Sequence, residues 1–140
     1  MINKILALTL GVLALVWAGD CREPSLQVQA RLVEIPGKLP NNDLYNYVYI
    51  FKYKVLKVIE GKYTDAEILV GQYNPAQART AIKNKMAPVA QGNLAAFRAG
   101  DTHILKLIDS VECVWKDAVE DEYFDDDSPR WYAVETNSAK

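Results

Sequence analysis

The residues with the most chemical potential are carboxylates. The stretch VEDEYFDDDSPRW, residues 119–131, places Glu120, Asp121, Glu122, Asp125, Asp126 and Asp127 within eight positions. Such a cluster could hold a divalent cation, supply a catalytic acid pair, or form a solvated connection. A calcium loop alternates its ligands and uses a glycine for its sharp turn. Here three aspartates are contiguous, and no glycine lies between residues 101 and 140. A catalytic pair needs two carboxylates held at a defined separation by rigid elements, which a run on a loop does not supply. The expectation is a charged loop between strands. Weak cation binding through Asp121, Asp125 and Asp127 is one alternative, and envelope catalysis on the same segment is another.

The other reactive types are sparse. His103 is the single histidine, and one imidazole lacks the companions of a zinc site or a triad. It reads as a surface or strand-end residue. No nucleophile elbow, P-loop or Rossmann glycine pattern occurs, so no catalytic residue and no cofactor is expected. A second candidate site is aromatic. Tyr45, Tyr47, Tyr49, Phe51 and Tyr53 recur with period two, which puts them on one face of a strand. Lys52, Lys54 and Lys57 lie among or just beyond them. The bland reading of that face is core and cross-strand packing. The functional reading is a ligand surface of Tyr45, Tyr47, Tyr49 and Lys52. Arg79, on the short helix that follows, would add positive charge toward an acidic partner. Tyrosine hydroxyls suit a half-buried rim better than a dry interior.

The N-terminus says where the chain works. MINKILALTLGVLALVWAGDC carries one early cation, Lys4, then an apolar run from Ile5 to Trp17, then Ala18 and Gly19. That is the layout of a secretory signal peptide. The run is too short for the ~20 residues of a spanning helix, so no stable membrane span is expected after cleavage. Cleavage fits after Ala18, with Gly19 the alternative. An uncleaved anchor is a further alternative. A lipoprotein reading of Cys21 fits poorly, because Asp20 precedes the cysteine where Gly, Ala or Ser is wanted. In an oxidising compartment the two cysteines, Cys21 and Cys113, are most simply a disulfide. Free thiols are the alternative.

Charge and export as a secreted or periplasmic domain together disfavour a nucleic-acid partner, and none is expected. The net charge is −2 and the pI about 5.4. Seven of the eighteen acids fall between Asp117 and Asp127, while residues 20–116 hold ten acids against thirteen bases. The partners this allows are a protein, a peptide or a glycan in the cell envelope.

The elements that would position these residues are mostly strands. LQVQARLVEI (26–35) is a strand with a kink near Leu32. LYNYVYIFKYKVLKVIE (44–60) is a very long strand whose apolar phase changes near Lys54–Leu56, the mark of a bulge. EILVGQY (67–73) is a third strand, ended by Asn74-Pro75. PAQARTAIKNKM (75–86) reads as a short helix with Asn74 as its cap. THILKLIDSVECVW (102–115) and RWYAVET (130–136) are the last two strands. Residues 19–140 therefore form one domain after a signal peptide of 18 or 19 residues. Five strands with one helix between the third and fourth is the order of an OB-type barrel. A β-sandwich or an open α+β sheet is the alternative.

The stretch YKVLKVIEGKYTDAEILVGQYN, 53–74, resembles the core of secreted netrin-like domains, with their V-x-K-V-x-x-G run, turn and I-x-V strand. FRAGDTHILKL, 97–107, looks like their G-x-x-Y-L hairpin. The likeness covers about a third of the chain. It implies an OB fold, export and disulfide bonding, in a family that includes tissue inhibitors of metalloproteases. Inhibition would need a cysteine at the mature N-terminus to chelate the target's zinc. Here one or two residues precede Cys21, so the resemblance carries the fold, and protease inhibition by family analogy is an alternative only.

Overall fold

In the computed structural model the described residues are 21–35, 37, 47–115, 118–121 and 126–139. The N-terminal stretch read as a signal peptide, Tyr45 and Asp125 lie outside them. Among the described residues six strands appear: β1 (Leu26–Glu34), β2 (Tyr47–Glu60), β3 (Glu67–Tyr73), β4 (Thr102–Ile108), β5 (Val119–Asp121) and β6 (Arg130–Ser138). Hydrogen bonding runs β1-β4-β6-β3-β2, and β1 also pairs with β2, which closes a five-stranded barrel. The β3–β6 pairing is parallel and the other ring pairings are antiparallel. This is the expected OB-like ring.

Why β2 runs to 14 residues is visible in its pairing. Residues 48–54 pair with β3 along one edge, and residues 52–60 pair with β1 along the other. One strand thus turns the corner between two walls, and bulges supply the bend. The β1–β2 register slips three times, leaving Ile59, Leu56 and Val33 each without an opposite residue. Among the described residues these are the three exposed large apolar side chains, at 42, 45 and 40%. The expected phase change near Lys54–Leu56 and the kink near Leu32 are therefore bulges, and each rotates one apolar residue outward.

Both faces of the β2–β3 half are buried. Inside the barrel, Leu26, Val28, Ala30 and Leu32 meet Tyr49, Phe51, Tyr53, Ile68, Val70, Leu105 and Leu107. Outside it a second core forms. Val48, Ile50, Leu69 and Tyr73 are covered by Ile82, Met86, Ala90, Val114 and Trp115. Gly71 makes room for this layer. A Cβ there would stand 2.6 Å from the Tyr132 ring and 2.8 Å from Val48 Cγ1.

The 75–86 segment departs from an α-helix. It holds a 3₁₀ turn at Arg79–Ala81, and a second follows at Ala87–Val89. A dozen residues between prolines is marginal for a helix in isolation, and side-chain bonds here favour turns. Asn84 Oδ1 accepts the Met86 N–H at 2.8 Å. Asn74 caps a strand instead of a helix. Its Oδ1 accepts from Tyr47 N at 3.3 Å, and its own N–H donates to Tyr47 O at 2.9 Å. It adopts φ +37°, a left-handed conformation that asparagine tolerates.

The expected fourth strand stops at Ile108, and a 3₁₀ turn at Val111–Cys113 follows. Cys113 is bonded to Cys21, across 92 residues of sequence. The bridge ties the segment before β1 to the edge of the second core. A sulfur in that bond carries no thioether, so the bridge and lipidation of Cys21 exclude one another.

Candidate functional site

The two candidate sites read separately from sequence converge in space. β5, from the acidic segment, pairs in parallel with the start of β2, setting Val119 opposite Tyr47 and Asp121 opposite Tyr49. Further along, Lys52 Nζ lies 3.7 Å from Asp126 Oδ2. The acidic segment is thus stitched to the aromatic strand at two points.

The aromatic face itself points inward. Tyr49, Phe51 and Tyr53 are buried in the barrel, and Tyr47 is half-buried against the same core. Tyr47 and Tyr49 stack at 5.7 Å between ring centres. Packing is the main work of this face, and Tyr47 is its accessible end. Arg79 also departs from a surface role. It is 3% exposed. Its Nη2 donates to the carbonyls of Tyr73 (2.6 Å), Asn74 (2.9 Å) and Gln77 (3.2 Å), and its guanidinium lies 5.0 Å over the Phe97 ring. Burial pushes its pKa down to about 10. Its guanidinium is turned inward onto carbonyls and the Phe97 ring and is not displayed at the surface.

What stands exposed is a rim that sequence reading left aside. The β2–β3 hairpin carries Tyr63, Asp65 and Glu67, and the loop before β6 carries Asp126, Asp127 and Ser128. Asp65, Glu67, Leu69, Asp126 and Ser128 line a groove of about 270 Å³. Tyr63 and Trp131 meet edge to face at 6.4 Å beside it, both half-buried against the barrel core. The Tyr63 hydroxyl donates to the Glu67 carbonyl. Burial, then the charges of Asp65, Asp126 and Glu67, raise the Tyr63 pKa, so this rim is electrically negative. Asp126 is held by Ser128, whose N–H donates at 2.9 Å and whose hydroxyl donates at 2.5 Å. Those bonds hold its carboxyl below the usual range. Asp127 is exposed nearby. The hairpin acids could have been found from sequence only by knowing that β3 and β6 are parallel neighbours, which brings residue 67 beside residue 128.

His103 is a correction. It is wholly buried inside the barrel, because β4 alternation puts it in phase with Leu105 and Leu107. Its Nδ1 lies 3.0 Å from the Tyr53 hydroxyl. Gln72 Nε2 donates to that hydroxyl at 3.5 Å and to Thr136 Oγ1 at 3.0 Å. Burial pushes the His103 pKa down to about 4, against a small opposing pull from Asp101. Between pH 6.5 and 4 the unfolded chain binds a proton that the folded chain refuses. Stability should be full above pH 6.5 and fall as pH drops toward 4, by on the order of 3 kcal/mol. Urea midpoints across that range would measure it, and His103→Gln should flatten the slope.

No family model matches the sequence, no curated protein is similar to it, and no solved structure matches the fold. Among the described residues no helix is long and apolar enough to cross a membrane.

Proposed function

We propose that the chain is an exported, non-enzymatic binding domain whose acidic–aromatic rim takes a cationic segment of an envelope protein or peptide. The carrying observation is the convergence of Asp65, Glu67 and Asp126 on one groove beside Tyr63 and Trp131. A lysine or arginine could lay its aliphatic stem along Leu69 and the rings while its head meets the carboxylates. The disulfide fits the oxidising compartment that the N-terminal segment implies. The sheet face through which OB barrels bind oligonucleotides or oligosaccharides is here filled by the chain's own second core, which favours a rim site over a face site. A netrin-like ancestry is consistent with this reading and adds no activity to it.

A fluorescent peptide of alternating lysine and alanine provides the test, with the Asp65→Asn, Glu67→Gln double variant beside the native chain. Two exposed pairs at up to ~1 kcal/mol each predict a loss of affinity of roughly 5- to 20-fold and weaker salt dependence. Equal binding by the double variant would remove the rim from consideration.

A further inference from the structure

The second core covers the outside of the barrel along β3 and the first half of β2. The wall formed by β4, β1 and the second half of β2 is open. Alternation sends Gln27, Gln29, Arg31 and Val33 of β1 outward, because Leu26, Val28, Ala30 and Leu32 face the core. Arg31, Val33, Lys54, Leu56, Lys57 and Ile59 are all exposed on this wall. Ile104 of β4, opposite Gln29, is half-exposed beside them. At about 3.3 Å per residue the outward row from Gln27 to Val33 runs about 20 Å.

Two features of this wall do nothing for the fold. Val33, Leu56 and Ile59 sit at the bulges, turned toward water, where burial adds little to stability. The cations oppose one another. Arg31 stands directly opposite Lys54 in the β1–β2 register, and Lys57 follows on the same strand. Like charges so placed repel. Glu34 and Glu60 mark the two ends of the wall, and Glu67 flanks Lys54 from β3. Yet among the described residues none of the three cations forms an ion pair. Unmatched positive charge and apolar surface therefore point outward together.

We propose that this wall docks the protein on an anionic lipid surface. Val33, Leu56 and Ile59 enter the interface, and Arg31, Lys54 and Lys57 meet the phosphates. Long basic side chains suit that depth, because their stems lie along apolar neighbours while their heads stay among the headgroups. A protein partner fits less well. The core of a protein interface gathers apolar residues and excludes lysine, whereas here the two kinds alternate. Bulges and lysines also blunt β2 against pairing with a second copy. The net charge of −2 repels an anionic bilayer, so any attraction comes from this wall and not from the molecule as a whole. No residue of the rim groove takes part.

Co-sedimentation with vesicles is the test. The native chain should pellet with vesicles of mixed phosphatidylglycerol and phosphatidylcholine, and not with phosphatidylcholine alone. The double variant Lys54→Gln, Lys57→Gln should partition roughly 25-fold more weakly, at about fivefold for each cation. Its melting temperature should not fall, since a repulsion is relieved. Leu56→Ser with Ile59→Ser should weaken partitioning by roughly the same factor. All four positions are exposed, so the barrel is kept. Failure of the native chain to pellet with the anionic vesicles at low salt would overturn the proposal, as would equal partitioning by either double variant. Self-association without vesicle binding, abolished by Leu56→Ser with Ile59→Ser, would overturn it too and assign the wall to a second copy.

Discussion

Reduction of the Cys21–Cys113 bond should lower the melting temperature by roughly 15–20 °C. The bond closes a loop spanning 92 positions. Chain-entropy arithmetic for a loop of that length gives about 4–5 kcal/mol. With the unfolding entropy expected for a domain of this size, that energy converts to the stated shift. The native contribution is local as well. Before β1, the Ser25 N–H donates to Leu107 O at 2.9 Å, and Cys113 packs against the second core. The bridge therefore holds the entrance of β1 beside the end of β4, the pair it must join. Calorimetric melts with and without reductant, and of Cys113→Ser, measure the effect. A shift of only a degree or two would show that the ends of β1 and β4 are already fixed without the staple.

Trp115→Ala should cost about 3–5 kcal/mol. Trp115 is fully buried, 5.8 Å from the Tyr73 ring and 6.0 Å from Tyr132, with its indole N–H donating to Val89 O at 3.2 Å. It is the keystone of the layer outside the barrel. Removing it takes away both volume and the bond that ties residue 89 to residue 115. Trp115→Phe keeps much of the volume and should cost only about 1–2 kcal/mol. Urea unfolding separates the two variants. An equal cost for both would mean that the hydrogen bond, and not the packed ring, holds this layer. In Trp115→Ala the outer face of β2 and β3 also loses part of its cover, so binding of an apolar dye should rise.

The barrel was legible because its signals are local. Period-two alternation in 26–32 and 47–53 is the inward face of β1 and β2, and the phase change at Leu56 is a bulge. The ends of β3 followed from Asn74-Pro75. The cysteine pair followed from the reading of export. What sequence misplaced was decided by distant partners. His103 looked exposed because a lone imidazole has no local companion, yet its companion is Tyr53, fifty positions away. Arg79 looked like a surface cation on a helix, yet carbonyls at 73, 74 and 77 turn it inward and take the place of helical bonds. The acidic segment read as a charged loop between strands because β5 is three residues long, and its pairing with Tyr47–Tyr49 leaves no pattern in sequence. The candidate rim could not be assembled at all without the parallel β3–β6 contact.

That contact also sets a timetable. β6 sits between β3 and β4 in the ring, yet it is the last barrel strand along the chain. Until residues 130–138 have been made, β3 and β4 have no shared neighbour and the barrel remains an open sheet. Its final closure depends on strands that are far apart in sequence, the slow kind of pairing. A chain built this way stays open, and free of its own fold, for as long as residues 130–138 are kept away from β3 and β4.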